Sequence, residues 1–199
     1  MINYSCNNNS KQKNNHKPVS TTDTITKAPG IINKDSLLVS TGQEILLLLK
    51  NKQYDKLVKY FAPEDSVHFS PYGFIGSGEQ TLNAKDFIAD LSSNKKIHWG
   101  TYDGSGEPIE LSLKQYIEKF VYNADFLNAE KTGIDKFIGS GNSLNNLKTI
   151  YPDTRFIEYH FPGFDKKYGG MDWTSLRLVF KEIDNYFYLQ AFVHDQWTI

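Results

Sequence analysis

Asp195 is the residue whose type and position most directly invite chemistry. It lies in the stretch Trp173–Trp197, where two β-rich runs flank Asp184-Asn185, a pair that tolerates the positive φ of a tight hairpin turn. Side chains alternate along a strand, so Leu176, Leu178 and Phe180 share a face on the first run. Leu189, Ala191, Val193 and Asp195 share one on the second. A two-residue loop sets Thr174 opposite Asp195 and Leu178 opposite Ala191. A carboxylate ending an apolar face is expected to look toward the covered side of the sheet, where a cavity opens. Desolvation there raises its pKa and suits it to general acid or base work. The competing reading is structural: a carboxylate tied to backbone amides at the sheet edge. His194 points to the opposite face, so His194-Asp195 is not a dyad.

Other residues stand as partners. In the run Arg155–Phe161, Ile157, Tyr159 and Phe161 look inward, and Tyr159 can offer a hydroxyl to the cavity or be core. Glu158 and His160 share the outer face at i, i+2 spacing. They could begin a metal site, but a third ligand is missing, so an outer-surface pair is expected and no metal is assigned. Asp195 as acid or base, with Tyr159 or His160 assisting, is the catalytic candidate set. His68, His98, Trp99, Tyr159, Asp195 and Trp197 are the candidate ligand-binding residues. Asp103-Gly104-Ser105-Gly106-Glu107 fails the calcium-loop template and reads as a turn. No Gly-x-Ser-x-Gly elbow occurs, so nucleophilic catalysis has no candidate and no cofactor is called for.

Composition narrows the class. The net charge is −1 over 199 residues, and Arg155 and Arg177 are the arginines. A nucleic-acid partner, which needs a basic excess and Arg forks, is therefore not expected. Aromatics make up 14%, which suits a β-rich core or an aromatic-lined cavity. The one cysteine, Cys6, excludes an internal disulfide. Residues 1–32 are rich in Asn, Ser, Thr and Lys and are expected to form a disordered polar tether. Ser5-Cys6-Asn7-Asn8-Asn9-Ser10 resembles the junction of a bacterial lipoprotein, although only five residues precede Cys6 and none form an apolar signal core. Cys6 is accordingly a lipidation candidate or an incidental thiol. The first case places the protein outside the cytoplasm on a membrane, the second in the cytoplasm.

The elements that must position these residues follow in order from Ser36. Leu38, Ile45, Leu46, Leu48 and Leu49 mark a helix with Gly42 as its weak point. Tyr54, Leu57, Val58 and Phe61 mark a second, ended by Pro63. A strand runs from Ser66 toward Phe74, and a helix capped by Asn83 carries Phe87, Ile88 and Leu91. Ile97–Tyr102 is a strand. Ser112 with Gln115 forms a capping box, with Leu111 and Tyr116 at staple spacing. Leu147–Tyr151 and Arg155–Phe161 read as strands before the terminal hairpin.

Leading helices followed by antiparallel strands indicate α+β, a curved antiparallel sheet wrapped around N-terminal helices as a cone with one open end. This order, with Gly106-Glu107-Pro108-Ile109 running into the helix Leu113–Val121, resembles the nuclear transport factor 2-like superfamily over residues 33–199. Trp99-Gly100-Thr101-Tyr102-Asp103-Gly104 and the closing His194-Asp195-Gln196-Trp197 resemble an uncharacterised bacterial branch of it, often seen as lipoproteins. The resemblance implies isomerases, dehydratases, cyclases or plain binding modules, so fold alone assigns no reaction. The expectation is a non-catalytic binding or interaction module for a small apolar or mixed-polarity ligand, with homodimerisation through the outer sheet face. The alternative is a cofactor-free enzyme using Asp195.

Overall fold

The terminal hairpin has one residue more than strict alternation allows, and this sets which side chains reach which face. In the computed structural model, which describes residues 33–141 and 144–198, β7 (Thr174–Ile183) and β8 (Tyr186–Gln196) turn at Asp184 and Asn185, with φ of 51° and 64°. That is the expected tight turn. Phe180 then pairs with Leu189, but Val179 pairs with Ala191, so Gln190 is an extra residue. Such a bulge inverts the facing of everything beyond it. Leu189 packs in the same core as Phe192, while Ala191 and Val193 pack in the other. The observed partners are Ser175 with Asp195 and Leu178 with Phe192, one step off the expected register.

The sheet order is β2-β1-β8-β7-β6-β5, with β1 as Ser66–Ser70, β2 as Gln80–Asn83, β5 as Lys131–Ile134 and β6 as Arg155–Phe161. The fold is α+β, and the sheet is open and mixed. β1 runs parallel to β8, where an antiparallel sheet was expected; the other pairings are antiparallel. A separate hairpin joins β3 (Ile97–Thr101) to β4 (Pro108–Leu111).

One sheet face carries Ile157, Leu176, Leu178, Phe180 and Phe192, and packs with α1 (Lys34–Lys50) through Leu38, Ile45, Leu46 and Leu49. α1 starts at an Asn33 cap whose side chain accepts from the amides of Asp35 and Ser36. Gly42 has a packing reason: a Cβ there would collide with the Tyr159 hydroxyl and Ile157 Cδ1. Tyr54–Tyr60 follows as a 3₁₀ turn rather than an α-helix. α2 (Ala84–Leu91) is capped by Asn83 as expected and buries Phe87 and Leu91, leaving Ile88 exposed. α3 (Leu113–Tyr116) begins at the Ser112–Gln115 capping box and widens into a π turn over Ile117–Val121.

The second sheet face is also covered. Phe156, Val179, Ala191 and Val193 pack there with Ile75 and with Leu147 of α4 (Leu147–Ile150). Leu147–Tyr151, expected as a strand, is this short helix. Leu147 is its one buried residue, so the run of side chains has no sheet face to alternate against. β2, β4 and β5 escape sequence reading for a related reason: each four-residue strand buries a single position. One buried position cannot display a period of two.

Candidate functional site

The bulge at Gln190 moves Asp195 away from the helices. Its carboxylate lies on the face of Val193 and Ala191, where Arg177 Nη2 meets Asp195 Oδ2 at 2.9 Å. Arg177 is wholly buried, and its Nε donates to Glu158 Oε2 at 2.9 Å. Glu158 also accepts from the amides of Ile138 (3.1 Å) and Gly139 (2.7 Å) and from Ser175 Oγ (2.8 Å). Phe137 lies over the guanidinium at 5.2 Å and stacks on Phe156. Burial pushes the Asp195 carboxyl above its ordinary pKa, and Arg177 works against that shift. A buried guanidinium held by two carboxylates and the Gly139 carbonyl, with Glu158 itself held by backbone amides, is a structural network, since losing either partner would strand a desolvated ion. Asp195 does not face the helix-lined side, and the expectation of a cavity carboxylate fails there. The expected outer-surface pair, Glu158 and His160, is instead buried.

The other named residues disperse. Tyr159 does face α1, as expected, but its hydroxyl is buried against Gly42 with no hydrogen-bond partner, and burial raises its pKa. Trp99 is fully buried, stacks on Tyr116 at 4.1 Å and donates its Nε1–H to the Leu111 carbonyl. It is core. His98 is half exposed, pairs with Glu110 at 2.9 Å and lines a surface cleft. Trp197 lines a neighbouring cleft of about 410 Å³ with Lys119 and Phe120. His194 faces away from Asp195, as alternation requires, and rests against Phe120. Cys6 lies outside the described residues, as does the expected tether over residues 1–32.

The structure assembles a different constellation. The connection from β1 to β2 and the β3–β4 hairpin enclose a cleft of about 490 Å³, with Tyr72, Phe74 and Tyr102 as apolar walls and Glu79, His98 and Asp103 as polar ones. The Glu79 side chain is only 8% exposed. Ser70 Oγ donates to the Tyr72 carbonyl (2.7 Å) and lies 3.1 Å from Glu79 Oε1. His68 does not line the cleft; its Nε2 sits 2.9 Å from Glu79 Oε2, and its Nδ1 pairs with the Tyr151 hydroxyl at 3.0 Å. The 2.9 Å contact is close, yet neither His68 Nε2 nor Glu79 Oε2 makes a hydrogen bond of ordinary geometry. The fully buried Tyr116 hydroxyl is also unpartnered and feels the Glu79 charge, which helps burial raise its pKa well above the usual phenol value.

The Glu79 carboxylate at the edge of the cleft thus has His68 Nε2 in ion-pair contact, and the unpartnered Tyr116 hydroxyl feels its charge. A buried hydroxyl without a partner, as at Tyr116, is uncommon in folded proteins. Glu79 lines the cleft, so its carboxylate is a group there that can accept a hydrogen bond from an entering donor. Among the described residues no group of three His, Cys, Asp or Glu side chains could hold a metal ion, and no helix is long and apolar enough to cross a membrane.

Glu79 and Tyr116 are the residues that sequence reasoning missed. Glu79 stands in a Gly- and Ser-rich connection, where a carboxylate reads as solvated. Its depth comes from β1 and the β3–β4 hairpin folding over it. Comparison of the chain with protein-family models, curated proteins and solved structures returns no match.

Proposed function

We propose that the chain is a non-catalytic binding module whose ligand site is the cleft beside Glu79. The observation that carries this reading is the nearly buried Glu79 carboxylate in the lining of a cleft with aromatic walls. The chemistry favours a small ligand with a cationic, hydrogen-bond-donating head for Glu79 and an apolar body for Tyr72, Phe74 and Tyr102. Kinship with the nuclear transport factor 2-like superfamily belongs to the same proposal. It is supported by the leading helix and 3₁₀ turn, the capped helix after the β3–β4 hairpin and the terminal hairpin. Tethering through Cys6 is a further part of it. Self-association would need a surface other than the sheet residues Phe156, Val179, Ala191 and Val193, which the chain itself buries.

Titration with benzylamine, followed through the Tyr72 and Tyr102 ring resonances, tests the site. Saturable shifts are expected, with benzyl alcohol weaker and Glu79→Gln weakening the amine about tenfold, the worth of one charge-assisted hydrogen bond. Equal binding by Glu79→Gln would remove Glu79 from the site, and no saturable response to either probe would reject the cleft.

An acid–base enzyme is the second reading, favoured by the contact between Glu79 and His68 backed by Tyr151. Turnover would then need both Glu79 and His68, whereas binding needs only Glu79. His68→Gln separates the two.

A further inference from the structure

His160 ends a hydrogen-bond chain whose proton positions are dictated by its buried end. Glu158 Oε1 accepts from the Gly139 amide at 2.7 Å, and Glu158 Oε2 from Arg177 Nε at 2.9 Å. These donors cannot reverse, so the carboxylate is the acceptor in every contact. Ser175 Oγ, 2.8 Å from Glu158 Oε1 and itself wholly buried, therefore gives its one proton to Glu158. Its lone pairs are left for His160 Nδ1, also at 2.8 Å, which must carry a proton and donate it. Burial lowers the imidazole pKa below its ordinary value, with the Glu158 charge opposing and those of Lys131 and Arg177 adding to the shift, which favours the neutral ring. Nε2 is then a bare acceptor, and it makes no hydrogen bond among the described residues. The chain Arg177–Glu158–Ser175–His160 thus fixes the tautomer of a largely buried side chain that lines a surface pocket.

The surroundings are shaped for approach. His160 lines a pocket of about 210 Å³ with Ile138, Gly139, Ser140, Pro162 and Trp173. It shares no lining residue with the Glu79 cleft. The Trp173 ring is tilted 43° to the imidazole at 5.8 Å. A Cβ at Gly139 would collide with Ser175 Oγ and crowd His160 Nδ1 and Trp173, so only glycine lets this loop cap the relay. The pocket is an open groove of about 210 Å³, of a size to seat one ring against Trp173.

We propose that this pocket is a second binding site, for a single-ring aromatic hydrogen-bond donor of the phenol class, which donates to His160 Nε2 and packs against Trp173 and Pro162. Specificity comes from the locked acceptor: a ring of the same shape without a donor leaves Nε2 unpaired and loses the bond.

The test uses the full chain labelled with ¹⁵N-histidine. The free protein should show His160 with Nδ1 protonated and Nε2 bare; the reverse tautomer would overturn the relay with no variant needed. Phenol should shift the Nε2 resonance saturably, and anisole should bind at least tenfold more weakly. No saturable shift with phenol, or equal binding of anisole, would overturn the site. Ser175→Ala should mix the tautomers and weaken phenol several-fold. A folded Ser175→Ala protein that keeps one tautomer and full affinity would show that the relay does not set the site.

Discussion

His194 is fully buried, and its two ring nitrogens have assigned roles. Nδ1 donates to the Pro71 carbonyl at 2.9 Å, so Nε2 accepts from Thr174 Oγ1 at 3.1 Å. Burial, with the Arg177 charge adding to it, lowers the imidazole pKa from 6.5 to about 4. The unfolded chain therefore binds a proton between those values that the folded chain refuses. Stability from this group is complete above pH 6.5 and lost as the pH falls toward 4, by about 3 kcal/mol at most. His160, also held low, acts in the same direction, and Asp195, held high, in the opposite one. Urea unfolding of the wild type and His194→Asn across pH 4–7 isolates the contribution: the variant should lose most of that slope. Tyr159 makes the opposite case. Its buried hydroxyl has no partner, so Tyr159→Phe should stabilise by about 1 kcal/mol, raising Tm by about 2–4 °C. It should also soften the cost of Gly42→Ala. A clear loss of stability in Tyr159→Phe would show that the hydroxyl is satisfied.

At the scale of elements, the capping box is the most local of the determinants. The Ser112 amide donates to Gln115 Oε1 at 3.0 Å, and the Gln115 amide to Ser112 Oγ at a long 3.4 Å. Ser112→Ala should therefore cost about 0.5–1 kcal/mol, the lower part of the range for such caps, measured by chemical denaturation. A loss above 2 kcal/mol would mean that Ser112 does more than cap. The box was readable because a cap joins residues three apart. The bulge at Gln190 was not: nothing in Leu189-Gln190-Ala191 departs from a strand pattern. Its polar side chain reaches Asp65 Oδ2 at 3.1 Å, a contact 125 residues distant in sequence.

For the whole molecule, β8 is the central tie. It lies between β7 and β1 and is the strand through which the chain's last segment meets its early one. His68, Phe69 and Ser70 pair in parallel with Ala191, Phe192 and Val193. A chain ending at Gln190 would lose this pairing, the Phe192 core contact and the Asp195 partner of Arg177 together. It should show no cooperative thermal transition by circular dichroism. A native-like melt from that truncation would mean that the sheet does not depend on its centre.

What this chain declares by itself are the features whose cause is local. The Asp184-Asn185 turn, the Asn83 and Ser112 caps, the helix over Leu38–Leu49 and the inward facing of Tyr159 follow from spacing and turn chemistry over a few residues, and the structure reproduces each. The α+β class follows from their order. Tertiary structure decided the rest. One bulge turned Asp195 to the other face, and a second layer around Phe137, Ile75 and Leu147 buried what had read as an outer surface. Glu79 gained its buried surroundings only when β1 brought His68 to it and α3 brought Tyr116 near. The physical reason is common to all three: burial and charge pairing depend on groups tens of residues apart, and no periodicity within one strand encodes what will lie across from it.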